Sequence, residues 1–235
     1  MGDINKKIFI VHGWTYTTNA WIQCLGALRD RGFEPVMLNV PGLTEASDKV
    51  WTLEDYEDWL DKKLSGEENV TIVGHSNGGR ILIAYAAKHK GKIKNLILID
   101  SAGVLHNEFS LRLKRAVFGS IAKVGKKVVT APILRKIFYR LIGARDYERA
   151  SANMRETMKG LIKIDLTQLM KNIDVKTLII WGDKDKATPL SDGKLMNKLI
   201  QNSKFVVVKG AGHSPHSTNP LLVAEEVASW LKVME

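Results

Sequence analysis

The chain has 235 residues with a formal net charge of +10; 45% of them are hydrophobic and 26% charged, a globular composition that excludes a disordered polymer. Its one cysteine, Cys24, excludes an intrachain disulfide scaffold and a cysteine-built zinc site. No apolar run approaches the width of a bilayer and no secretory signal is visible, so a soluble, cytoplasmic protein is expected.

Six short apolar runs rich in β-branched residues recur along the chain, at 7–11, 34–39, 69–73, 95–100, 176–181 and 204–208. Most are continuously apolar rather than alternating, as strands covered on both faces should be. Helix-like stretches separate most of them. Residues 21–31 place Trp21, Leu25 and Leu28 at helical spacing. Residues 52–64 open with Thr52 and Asp55 three apart, a capping-box spacing. Residues 80–88 and 220–233 also read as helices. Strand alternating with helix predicts an α/β fold with a mostly or wholly parallel sheet of about six strands flanked by helices.

Between Gly103 and Lys163 the alternation stops. Three helix-like segments, 109–127, 133–142 and 148–162, follow one another without a strand. The charge is segregated in the same place. Residues 1–102 carry a net charge of −1, residues 103–164 a net +10, and residues 165–235 a net +1. A basic helical insert over 103–164 is therefore expected to interrupt a core built from 1–102 and 165–235. Its basic residues, among them Lys114, Arg115, Lys123, Lys126, Lys127, Arg135, Lys136 and Arg140, lie opposite apolar helix faces. Such faces can meet an anionic membrane surface, steer an anionic substrate, or simply keep the protein soluble. No recognition motif for nucleic acid accompanies the charge.

The chemistry concentrates in a few loops. Gly74-His75-Ser76-Asn77-Gly78 is a G-x-S-x-G match that follows an apolar strand and opens a helix. The sharp turn exposes the serine hydroxyl and aims the next N–H at the same spot. His12-Gly13-Trp14 follows the first strand, Trp181 to Pro189 reads WGDKDKATP after the fifth, and Gly210 to His216 reads GAGHSPH after the sixth. With these four motifs in this order, the chain resembles the α/β-hydrolase fold superfamily of serine hydrolases with a helical cap. The resemblance covers nearly the whole chain. It implies Ser76 as nucleophile, His213 as base, Asp185 as orienting acid, and the backbone N–H groups of Trp14 and Asn77 as oxyanion donors. It also places the cap at the basic insert, with no cofactor and no metal. Because only seven residues precede Ile8, the family's usual opening antiparallel hairpin is expected to be absent.

The chemical logic is independent of the resemblance. A serine hydroxyl attacks only when a base takes its proton, and a neutral imidazole oriented by a carboxylate can do so near neutral pH. Each role has a rival: Ser76 as a mere helix cap, His216 as the base, and Asp183 or the strand-end Asp100 as the acid. His12 and His75 read as hydrogen-bonded scaffold, and Trp14 as pocket wall. Phe109, Leu113, Met154 and Met158 either line a pocket or pack cap to core. The expected function is cleavage of a small-molecule carboxylic ester, apolar or anionic, through an acyl-enzyme on Ser76. The alternatives are C–C bond, lactone or amide hydrolysis, acyl transfer by the same triad, and a hydrolase-fold receptor or partner-binding module with little turnover.

Overall fold

The structure is a computed structural model that describes residues 6–105 and 149–233. The helices expected over 109–127 and 133–142, and the basic faces assigned to them, lie outside the described residues. Six strands form one sheet: β1 (Lys7–Val11), β2 (Glu34–Leu38), β3 (Val70–His75), β4 (Ile93–Ile99), β5 (Lys176–Gly182) and β6 (Ser203–Val208). Their order is β2-β1-β3-β4-β5-β6 and every pairing is parallel, as expected.

The helices are α1 (Ile22–Arg29), α2 (Leu53–Lys63), α3 (Asn77–Lys88), α4 (Ala152–Leu161), α5 (Thr167–Met170), α6 (Leu190–Leu199), α7 (Pro215–Thr218) and α8 (Pro220–Val233). Successive strand side chains point to opposite faces of the sheet. Ile8 and Ile10 of β1 join a cluster with Leu28 of α1 and Val227 of α8. Phe9 and Val11 join the other, with Leu60 of α2 and Ile81 of α3. A sheet buried on both faces explains why the strand runs are continuously apolar. Among the described residues no helix is long and apolar enough to cross a membrane.

Local chemistry sets the element ends. Thr52 caps α2: the Asp55 N–H donates to its Oγ1 at 3.1 Å, and the Thr52 N–H donates to Asp55 Oδ2 at 2.9 Å. Thr52→Ala is expected to cost about 1 kcal/mol of stability, read as a lowered urea midpoint at unchanged slope. An unchanged midpoint would show that water replaces the cap.

The helix α4 falls within the stretch read as insert. Met154, Met158 and Leu161 bury its apolar face in the α2–α3 cluster. Met154 lies against Gly42 in the loop after β2, where an added Cβ would come within 2.2 Å of its sulfur. The Trp51 N–H donates to Thr157 Oγ1 at 2.8 Å. Arg80, on the helix that follows Ser76, donates from Nη1 to the carbonyls of Leu161 at 2.5 Å and Ile164 at 3.0 Å. A buried guanidinium therefore satisfies the carbonyl end of α4 and ties it to α3; burial lowers the Arg80 pKa to about 10.

Candidate active site

The strand order fixes where the site forms. The chain leaves β1 for β2 on one side and returns to β3 on the other. Between β1 and β3 the connections run in opposite directions, opening a crevice at the carboxyl ends of these strands. The Gly13-Trp14 loop leaves β1 there, and Ser76 leaves β3 there. Asp100, Asp185 and the His213 loop follow β4, β5 and β6 at the same sheet edge.

Ser76 has φ 51° and ψ −116°, a conformation that L-residues rarely adopt. The turn holds because both neighbours pin it. Its N–H donates to the Ile99 carbonyl at 3.1 Å, and its carbonyl accepts from Arg80 and Ala102 at 3.1 and 3.0 Å. A Cβ on Gly78 would come within 2.0 Å of the Val11 carbonyl oxygen, so only glycine lets α3 approach β1 this closely. The Ser76 side chain makes no capping hydrogen bond. Its Oγ lies 2.9 Å from His213 Nε2, so the helix-cap reading of this serine is not what the geometry shows.

His213 Nδ1 lies 2.7 Å from Asp185 Oδ2. The carboxylate only accepts, so Nδ1 carries the proton and Nε2 is left to accept from Ser76. Asp185 is itself held on three sides. The N–H groups of Ala187 and Thr188 donate to Oδ1 at 2.7 and 3.1 Å, and Thr188 Oγ1 donates to Oδ2 at 2.6 Å. Thr188 escaped the sequence reading; its only signal there is its place three residues after the acid. Two of the rivals, Asp183 and His216, lie elsewhere, whereas Asp100 sits beside the site. Asp183 Oδ1 accepts the Gly210 N–H at 2.7 Å. His216 is buried, stacked on Trp21 with ring centres 4.0 Å apart. Asp183→Asn keeps an acceptor oxygen at Gly210 and is expected to lower kcat/KM less than about tenfold, well short of Asp185→Asn. Steady-state kinetics of the two variants checks this, and equal losses would leave the acid unassigned.

The flanking histidines are scaffold, as expected. His75 Nε2 donates to the His213 carbonyl at 2.7 Å, fixing the loop that carries the imidazole. His12 Nδ1 donates to the Gly13 carbonyl, and Thr44 Oγ1 donates to His12 Nε2, both at 2.7 Å. That pair anchors the Trp14 loop. Burial lowers the His12 pKa and drives that of His75 well below the ordinary value; burial lowers His216 to about 3. All three stand neutral at pH 7.

Trp14 and Asn77 flank the serine. A Cβ on Gly13 would lie 3.0 Å from Ser76 Cβ, which measures how closely the Trp14 loop abuts the nucleophile turn. Among the described residues neither the Trp14 N–H nor the Asn77 N–H has an acceptor. Asn77 opens α3, where the first-turn N–H groups are free of intrahelical partners. Two unpaired donors beside one hydroxyl can receive a developing oxyanion.

Comparison with known proteins identifies the family. The family model of the alpha/beta hydrolase family matches residues 8–226. The AB hydrolase superfamily protein YisY of Bacillus subtilis is 26% identical over 88% of this chain and 85% of its own length. A pimeloyl-[acyl-carrier protein] methyl ester esterase of Neisseria meningitidis serogroup A is 22% identical over 92% of this chain and 73% of its own. The crystal structure of a bromoperoxidase from Bacillus anthracis superposes with a TM-score of 0.77, at 21% identity, covering 97% of this chain and 92% of that one. With a family model spanning almost its whole length, this chain is an enzyme of the alpha/beta hydrolase family.

Proposed function

We propose that the enzyme is a serine hydrolase of carboxylic esters. The observation that carries this reading is the unbroken chain of contacts from Ser76 Oγ to His213 Nε2 at 2.9 Å, and from His213 Nδ1 to Asp185 Oδ2 at 2.7 Å. In this reading Ser76 Oγ attacks the ester carbonyl while its proton passes to His213 Nε2. The imidazolium is stabilised by Asp185. The oxyanion of the tetrahedral intermediate takes hydrogen bonds from the Trp14 and Asn77 N–H groups. The intermediate collapses by breaking the bond to the alcohol oxygen, which leaves with the proton from His213. Water, deprotonated by the same imidazole, then attacks the acyl-enzyme, and Ser76 recovers its proton as the carboxylic acid departs.

The name of the meningococcal relative, an ester hydrolase, supports the ester over other acyl compounds. The segment 103–164 joins β4 to β5 and is read as a cap that shapes the acyl pocket. Its net +10 favours an anionic substrate or an anionic surface nearby. No part of the reading requires a cofactor or a metal.

The test is a fluorophosphonate probe together with p-nitrophenyl esters of graded acyl length. Labelling and steady turnover are expected, both lost in Ser76→Ala. Labelling without turnover on any ester would instead favour a receptor or partner-binding role.

A further inference from the structure

Asp100 is a buried carboxyl group that the proposed mechanism does not use. It follows β4, next to the strand that carries Asp185, and none of its surface is exposed. Its backbone has φ 41°, a left-handed conformation, which Asp tolerates better than most residues. Its neighbours hold it there: its N–H donates to the Ile180 carbonyl at 3.0 Å, and the Gly182 N–H donates to its Oδ1 at 2.8 Å. Among the described residues its Oδ2 has no hydrogen-bond partner, an expensive state for a buried oxygen. A carboxylate oxygen of Asp100, one of Asp185 and a ring nitrogen of His213 lie within 4.8 Å of one another. Packing alone does not explain a strained, orphaned carboxyl at this spot.

We propose that Asp100 is a positioning residue of the catalytic centre, a reserve acid that takes over the orientation of His213 when Asp185 is neutralised. The inference rests on the reading of Ser76, His213 and Asp185 given above. In the intact enzyme, burial and the Asp185 charge raise the Asp100 pKa to about 8, so Asp100 stays protonated and leaves His213 to its partner. Removing the Asp185 charge removes that repulsion and favours ionisation of Asp100. An Asp100 carboxylate oxygen already lies within 4.8 Å of a His213 ring nitrogen, so a side-chain shift of about 2 Å brings the carboxylate to hydrogen-bond distance of the imidazole. The imidazole keeps the tautomer that leaves Nε2 open to Ser76.

The experiment is steady-state hydrolysis of a p-nitrophenyl ester across pH by the intact enzyme and by Ser76→Ala, Asp185→Asn, Asp100→Asn and Asp100→Asn/Asp185→Asn. Loss of an orienting acid with no substitute costs about 10⁴ in kcat. With Asp100 in reserve, Asp185→Asn is expected to lose only about 10². Its activity should rise with pH along a limb set by one carboxyl group. The double variant is expected to lose a further factor of about 10² and that limb with it. Asp100→Asn alone should slow the reaction less than Asp185→Asn. Equal rates and equal pH profiles for Asp185→Asn and the double variant would overturn the proposal. So would a full 10⁴-fold loss, about that of an unsubstituted acid, in Asp185→Asn alone, a result that needs no variant of Asp100 to fold. Turnover surviving in Ser76→Ala would instead overturn the underlying mechanism.

Discussion

Ser76→Ala is expected to lower kcat by about 10⁶, leaving only the residual rate that bound water and oxyanion donors sustain. The size follows from the role: without Oγ no acyl-enzyme forms, and His213 has no hydroxyl to deprotonate. The fold should be indifferent to the change. The hydroxyl caps no helix, and among the described residues its hydrogen bond runs to His213 alone. Alanine meets the same steric limits as serine at φ 51°, so the strained turn is neither relieved nor worsened. Unfolding midpoints of the two proteins should therefore agree within about 0.5 kcal/mol while turnover collapses. Retention of more than about a thousandth of the activity would mean that another nucleophile acts. A fallen midpoint would mean that the hydroxyl has a structural role that the geometry does not reveal.

The sequence carried the strands and the elbow because each obeys a strong local rule. A parallel sheet covered on both faces needs continuous apolar runs, and six such runs stood out. The elbow needs small residues at fixed offsets, so Gly74, Ser76 and Gly78 marked it. The helix α6 was not legible, for a physical reason. It carries Gly193 because a Cβ there would come within 2.6 Å of the Trp181 ring, so close packing on β5 removed a helix-forming residue from the pattern. The boundary of α3 also shifted. The reading began it at Arg80, but the structure begins it at Asn77, since two glycines hide a helix start from any propensity argument. The support of Asp185 by Thr188 depends on how a loop closes on itself. The environment of Asp100 depends on which strands become neighbours. Neither is written in local spacing.

Acid should unfold this protein steeply, because its buried histidines cannot accept protons in place. His12, His75 and His216 all have pKa values held below the ordinary 6.5, chiefly by burial, and His216 falls to about 3. His75 and His216 also face each other at 4.4 Å between ring centres, so charging one further opposes charging the other. In the unfolded chain each regains its usual affinity. Below pH 6.5 the unfolded state therefore binds up to three more protons than the folded one at these sites, and stability falls as pH falls. Asp100 works in the opposite sense. Its folded pKa of about 8 lies above its unfolded value, so between pH 4 and 8 the folded state holds one proton that the unfolded state has lost. The three histidines together outweigh the one carboxyl group, so below pH 6.5 the net effect is a loss of stability as pH falls. Urea midpoints should rise as pH is lowered from 8 to about 6.5, where Asp100 alone takes up its proton, and fall from there to pH 4.5. His216→Phe keeps a ring on Trp21 and removes a titrating group that has no partner at Nδ1 among the described residues, so below pH 6.5 it should flatten the slope by about 1.4 kcal/mol per pH unit. Asp100→Asn should steepen the slope by the same amount while raising stability at pH 8. These opposite signs separate the two kinds of buried group. A midpoint constant from pH 7 to pH 5 would mean that the histidines are reached by water and charge freely in the folded state.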